Sequence, residues 1–316
     1  MKIVTLTVNP ALDKSTYTEL LQPEKKIRCE EPSYEPGGGG INVSRAINIL
    51  GGESLAIYAA GGPAGDKIES LLKEEGVNQK RITIQSATRE NLMVMEKSTG
   101  NQYRFGMPGS KLTDKELQQC IDAVKDLPED VEYLVASGSL PPGAPDDFYA
   151  QIAEIARNKN IQCVIDTSGK ALKAAAEKGV CLMKPNLGEL SSLAGREEIS
   201  GMEQEEIARQ VIDEGKAQIL IVSLGARGAM LVTKDNLEYI VPPTVKQNST
   251  VGAGDSMVGG MILSLSRGDE LHDAVKWGVA AGTAATMTPG TELCRKKDAE
   301  KIFDWLNQKE TAGGGT

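Results

Sequence analysis

The segment YLVASGSLPPGAPDDFYAQIAEIARNKNIQCVIDTSG, residues 133–169, contains one full period of the rhythm that runs through this chain. Its ends, YLVAS at 133–137 and QCVID at 162–166, are short apolar runs of strand character, and the stretch near 146–158 between them reads as a helix. The alternation continues in both directions. Downstream come a helical stretch at 169–178, CLMK at 181–184, a helical stretch at 203–214 and ILIVS at 219–223. Upstream come IVTLTV at 3–8, a helix from 41 to 50, SLAIYAA at 54–60, a helix from 66 to 75 and another near 114–126. Strand and helix in repeated alternation imply an α/β protein with a mostly parallel sheet, helices on both faces and right-handed crossovers. In such a sheet ligands bind beyond the carboxyl ends of the strands.

Two segments break the rhythm, residues 14–35 and 82–107. The second alternates like strands with a turn at Thr99–Asn101, so the two are expected to form a small sheet outside the main one. A small sheet with an apolar face needs cover, either as a lid over a site or against a second subunit. Residues 1–310 read as one domain, and the glycine-rich tail 311–316 as flexible.

Composition narrows the function. The 316 residues are 40% hydrophobic and 25% charged, and no apolar run approaches the roughly 20 residues that span a bilayer. The N-terminus lacks the apolar block of a signal peptide, so cytoplasmic residence is expected. A net charge of −9 argues against a nucleic-acid partner. Five scattered cysteines without a CxxC pair indicate neither a disulfide framework nor a thiolate zinc site, and the single histidine, His272, excludes a multi-histidine centre. No Walker A pattern and no GxGxxG occurs, which disfavours a P-loop NTPase or a standard dinucleotide-binding dehydrogenase.

The chemistry is carried by glycine-rich and carboxylate motifs. In TVGAGDS, Thr250–Ser256, Gly252 and Gly254 allow close approach of main-chain N–H groups to an anion. Met257, Val258, Met261, Ile262 and Leu265 then give the period of an amphipathic helix starting at or just before Asp255. Free N–H groups at that helix start favour a negative charge. Asp255 there is either a helix cap or a base taking a proton from an attacking hydroxyl, and the motif alone leaves both open. GGGGIN, Gly37–Asn42, lets the backbone wrap round a polar ligand. KPNLGE, Lys184–Glu189, places Asn186 and Glu189 on one helical face, a pattern that suits magnesium and phosphate but also resembles a capping box. SLGARG, Ser223–Gly228, reads as a turn approaching a nucleotide or equally as a plain strand-to-strand turn. Asp13 and Arg89 are candidate sugar-hydroxyl and phosphate contacts.

Taken in order, GGGGIN, KPNLGE, SLGARG and TVGAGDS resemble the PfkB sugar-kinase family, whose fold is that of ribokinase. The match covers essentially the whole chain. It is closest to the minor, PfkB-type 6-phosphofructokinase branch, through YEPGGGGINVSRAI, QYRFGMPG, SGSLPPG and STVGAGDSMVGG. The related tagatose-6-phosphate kinases and 1-phosphofructokinases usually carry GGKGxN, and Gly39 stands here in place of that lysine. The resemblance implies ATP-dependent phosphorylation of fructose 6-phosphate at C1, with those two activities as alternatives. A non-catalytic nucleotide or sugar-phosphate sensor is a reading of a different class.

By the same resemblance, Asp255 is the base and the Gly252, Ala253 and Gly254 backbone holds the developing phosphate charge. The sugar phosphate would contact Asp13, Gly38, Gly39, Asn42, Arg89 and Ser139. Lys184, Asn186, Ser223, Gly225 and Gly228 would contact ATP, and Glu189, Asn186 and Asp166 would organise Mg2+, partly through water. Lys26 and Arg28 are lid cations expected to reach the partner's site in a homodimer joined through the lid strands. Family members often hold a monovalent cation, potassium among them, through the positions of Ser249 and Val251 and the 286–294 segment. In that segment Thr288, Pro289 and Glu292 stand where the phosphofructokinase branch has Asn, Gln and Arg.

Overall fold

The computed structural model describes residues 1–197, 199, 201 and 203–313, with the backbone alone for 310–313. In chain order the elements are β1 (Ile3–Thr7), β2 (Ala11–Thr18), β3 (Ser33–Gly37), α1 (Gly39–Ile49), β4 (Leu55–Ala60), α2 (Gly62–Glu74), β5 (Asn78–Thr83), β6 (Arg89–Glu96), β7 (Gln102–Phe105) and α3 (Asp114–Lys125). Then follow β8 (Tyr133–Ser137), α4 (Phe148–Asn158), β9 (Gln162–Asp166), α5 (Gly169–Lys178), β10 (Val180–Met183), α6 (Leu187–Leu193), α7 (Glu203–Asp213), β11 (Ala217–Ser223), β12 (Ala229–Val232), β13 (Leu237–Ile240), α8 (Ala253–Ser266), α9 (Leu271–Thr286) and α10 (Lys296–Gly313).

The main sheet has nine strands in the order β13-β12-β11-β10-β9-β8-β1-β4-β5. Every neighbouring pair from β11 to β5 is parallel, and only β12 is reversed, pairing antiparallel with β11 and with the edge strand β13. Alternate residues of each strand face opposite layers: Leu134 and Ile165 pack beneath α3–α7, whereas Val135 and Val164 pack beneath α1, α8 and α9. The connections leave β1 towards β4 on one side and return to β8 on the other. A switch point therefore lies between β1 and β8, where the carboxyl ends open a crevice.

Three elements differ from expectation, and for SLGARG one of its two open readings is realised. Helix α8 is buried continuously from Ser256 to Ser264 rather than being amphipathic, because α1 and α9 cover what would be its outer face. Glycines make that packing close: a Cβ at Gly259 would lie 2.9 Å from the Ala46 Cβ, and one at Gly278 2.7 Å from the Met257 carbonyl oxygen. Residues 82–83 belong to β5 in the main sheet, and the β2 strand starts at Ala11, so the second sheet is offset from segments 14–35 and 82–107. SLGARG is the β11–β12 hairpin turn, with a 3-10 turn at Gly225–Arg227. Of the tail, residues 311–313 extend α10 and 314–316 lie outside the described residues.

The second sheet has the order β3-β2-β6-β7 and stands over the carboxyl edge of the main one. Its register puts Asp13 opposite Asn91 and Glu35 on a shared face. The opposite face carries Leu92, Tyr103 and Phe105, of which Phe105 is 48% exposed. Arg45, 6% exposed on α1, braces the hinge: it donates to both carboxylate oxygens of Glu75 at 2.7 and 2.8 Å and to the Pro36 carbonyl at 2.9 Å.

Candidate active site

The site is assembled at the ends of β1, β8, β9, β10 and β11, with α1 and α8 aimed at it and the small sheet above. Asp255 is the third residue of α8, and the N-cap is Gly252 at φ 70°. Asp255 therefore does not cap the helix. Its Oδ2 accepts instead from the Asn42 side-chain amide at 2.9 Å, joining TVGAGDS to the end of GGGGIN across the crevice. Burial first, then the negative charges of Asp166 and Asp13, push the Asp255 carboxyl up to about 6 against the Asn42 bond and the Lys184 cation. A carboxylate tuned to that range is a competent base near neutrality.

Lys184 lies beneath the cradle. Its ammonium is 3.3 Å from Asp166 Oδ1, with the two side chains 7% and 14% exposed, and a Cβ at Gly254 would lie 3.3 Å from the same nitrogen. Burial opposes this charge, yet Asp166, Asp255 and Glu189 together hold it above the usual lysine range. One cation thus serves three carboxylates. Glu189 is pushed up by burial and by Asp166. The capping-box reading of KPNLGE is realised: Glu189 Oε2 accepts from the Asn186 N–H at 2.8 Å, and Asn186 Oδ1 accepts from the Glu189 N–H at 2.9 Å. Asn186 Oδ1 is thereby engaged within α6, while Glu189 Oε1 lies outside the box. Among the described residues no three histidine, cysteine or acidic side chains converge to hold a metal by themselves. That donor set fits a magnesium ion whose remaining ligands are water and phosphate oxygens.

On the small sheet, Asp13 is pushed up mainly by burial, and its Oδ1 accepts from the Asn91 amide at 2.8 Å. A Cβ at Gly37 would lie 2.0 Å from Asp13 Oδ2, so only glycine admits this approach. Gly38 (φ 114°) turns the chain into α1, whose Ile41 N–H is received by Thr7 Oγ1 at 2.9 Å. Gly39 abuts β8: a Cβ there would lie 2.2 Å from Ser137 Oγ and 2.8 Å from the Gly138 nitrogen, so a lysine at this position needs a different backbone. Arg89 does not stand free. It donates to the carbonyls of Asn9 at 2.9 Å, Met107 at 2.7 Å and Pro10 at 3.4 Å, and burial lowers its pKa. Ser139 is exposed at the rim and accepts from Asn9 Nδ2 at 3.2 Å. Across the crevice, Ser223 ends β11 and bridges to Asn186. Gly225 faces open space, whereas Gly228 is a packing glycine whose Cβ would meet the Ile240 carbonyl oxygen at 2.0 Å.

A sequence profile of the pfkB family carbohydrate kinase matches residues 8–298. The chain belongs to this family. The PfkB-family chain is 45% identical to the ATP-dependent 6-phosphofructokinase isozyme 2 of Escherichia coli K12, over 98% of its own length and 100% of that protein. Solved structures of E. coli phosphofructokinase-2, one in complex with potassium and one with substrates and products, superimpose with TM-score 0.92 at 45% identity, over 97% of this chain and 99% and 100% of theirs. A 1-phosphofructokinase of Borreliella burgdorferi is 32% identical over 95% of this chain and 96% of that protein. The protein is a sugar-phosphate kinase of ribokinase-like fold.

In this PfkB-family kinase Lys26 and Arg28 are exposed on the β2–β3 loop. The stretch that joins residues 249–251 to 286–294 is knitted by internal bonds: Ser249 Oγ donates to the Gly290 carbonyl at 2.7 Å and accepts from the Val251 N–H at 3.2 Å. Fully buried Thr288 places Oγ1 at 2.7 and 2.6 Å from the Ala285 and Glu292 carbonyl oxygens. Sequence reasoning missed Asn9, Asn91 and Arg45, all polar residues of ordinary type. Only the register that sets Asn91 opposite Asp13 reveals the pairing, because it joins residues far apart in the chain.

Proposed function

We propose that this kinase transfers the γ-phosphoryl group of ATP to the C1 hydroxyl of fructose 6-phosphate. The observation that carries it is Asp255, held by Asn42 and tuned upward at the N-terminal turn of α8, in a chain 45% identical to a 6-phosphofructokinase. Asp255 takes the C1 hydroxyl proton as the oxygen attacks. The N–H groups of Ala253 and Gly254 at the start of α8 stabilise charge on the transferring group, and Lys184 lies close enough to assist. Glu189 and Asp166 would hold Mg2+, which supplies charge neutralisation on the phosphates. Ser223 and Gly225 would flank the nucleotide. Gly38, Gly39, Asn42 and Ser139 would line the sugar, and Asp13 would orient its hydroxyls. Arg89 would position the loop under the phosphate, since its donors are already directed at three carbonyls.

The second sheet acts as a lid in this proposal, and its exposed Tyr103 and Phe105 face, with Lys26 and Arg28 alongside, would meet a second copy of the chain. Backbone carbonyls at Ser249 and Val251 would receive potassium. A panel of fructose 6-phosphate, tagatose 6-phosphate and fructose 1-phosphate with ATP and magnesium tests the reading. The expected result is the highest kcat/KM on fructose 6-phosphate. A preference for fructose 1-phosphate would move this chain to the activity of its B. burgdorferi relative, and no turnover on any sugar would leave the sensor reading.

The pH profile follows from Asp255. The base works ionised, so kcat/KM, which reports the groups of the free enzyme, is expected to fall as pH drops through about 6, approaching tenfold per unit below it. The second ionisation of the free sugar phosphate also lies near pH 6 and is divided out with its separately measured titration. A flat kcat/KM between pH 7 and 5 would remove Asp255 as the titrating base.

A further inference from the structure

We infer that the small sheet is fastened to the catalytic cradle by two cross-contacts, Glu35 to Thr291 and Arg104 to Thr250, and that these lid residues position the sugar-phosphate half of the site against Asp255. The inference rests on the reading that a sugar phosphate lies beneath that sheet. Glu35 on β3 faces the site, as Asp13 opposite it does, and its carboxylate accepts from the Thr291 hydroxyl. Both residues are only partly exposed, so the bond is shielded from solvent. Arg104 on β7 donates to Thr250 Oγ1 at 3.2 Å, at the first residue of TVGAGDS. Between them Met93 packs on Gly290, where an added Cβ would lie 3.4 Å from the methionine Cε.

The receiving loop is not an independent appendage. It is tied to the approach to α8 by the Ser249 Oγ bond to Gly290 and by the Asn248 N–H, which donates to the Thr286 carbonyl at 2.8 Å. Displacing the lid therefore pulls on the segment that leads into Gly252–Asp255. Within residues 286–294, Gly290 and Thr291 thus have a local task in receiving the lid. Glu35 and Arg104 touch no reacting atom here and act as positioning residues.

Thr291→Val and Glu35→Ala, singly and together, with Thr291→Ser as the conservative control, test the latch. A hydrogen bond to a charged group is worth about 1.5–3 kcal/mol, which corresponds to roughly tenfold or more. Each single variant is expected to raise KM for fructose 6-phosphate about tenfold, with KM for ATP within twofold. The double variant should be no worse than the worse single, and Thr291→Ser should return to within twofold of the parent. Unchanged sugar-phosphate KM in Thr291→Val, or single effects that multiply in the double variant, would overturn the proposal. Amide hydrogen exchange in the ligand-free proteins separates this from failure of the substrate reading. If the parent turned over no sugar phosphate, several-fold faster exchange across β2 and β6 in Thr291→Val would still support the latch, and equal rates would reject it.

Discussion

Replacing Asp255 by Asn is expected to lower kcat by about 10²–10⁴-fold, the usual contribution of a positioned general base, while ATP affinity changes little and the folded state becomes more stable at pH 8. The two effects share one cause. Burial and the charges of Asp166 and Asp13 raise this carboxyl from 3.8 to about 6. A raised carboxyl favours folding below its ordinary pKa, and that contribution is lost as pH rises through the folded value. At pH 8 the native protein therefore holds a charge its surroundings disfavour, at a cost of about 1–3 kcal/mol. Asparagine keeps the shape and can still accept from Asn42, but carries no charge and abstracts no proton. Urea unfolding at pH 8 and pH 5 should show a gain at the first pH that shrinks at the second. A coupled ADP-release assay measures turnover, and a D255N enzyme within tenfold of the parent would sink the assignment.

This coupling of tuning and instability explains why some of the site was readable from sequence and some was not. Gly252, Gly254 and Asp255 are neighbours in the chain, so their spacing alone exposes an anion cradle with a carboxylate. The strands at 133–137 and 162–166 are equally visible, because both faces of a central parallel strand are covered and its middle, Leu134–Ala136 and Cys163–Ile165, is therefore a continuous apolar run. What sequence could not decide was whether Asp255 capped its helix. That depended on Asn42, 213 positions away, and on Gly252 taking the N-cap. Helix α8 looked amphipathic for a similar reason: Met257 and Val258 show a period, but the cover that α9 provides is a tertiary fact. Arg89 reads as a candidate phosphate contact from its charge, and its bonds to the loop carbonyls of Asn9, Pro10 and Met107, which use three of its five N–H donors, form only once β2 and β6 pair.

The second large effect concerns Lys184. Its replacement by Met, similar in length and without charge, is expected to cost about 3–5 kcal/mol of stability at pH 8, the range for removing one partner of a buried ion pair. It should also reduce kcat by at least about tenfold, since a cation beside the cradle is lost. Asp166, at 14% side-chain exposure, would lose its partner, and Asp255 and Glu189 would lose the charge that offsets their repulsion by Asp166. With that cation gone, the Asp255 and Glu189 carboxyls titrate higher. Acid should therefore partly rescue the fold: the deficit measured by urea unfolding is expected to narrow between pH 8 and pH 5, as protonation removes the unpaired charges. The double variant Lys184→Met, Asp166→Asn carries one buried charge fewer and should recover much of the stability at pH 8. It should not recover turnover, because neither substitution restores a cation beside Gly254. A single variant as stable as the parent at pH 8 would mean that the pair is open to solvent and that Lys184 does not hold the three carboxylates together.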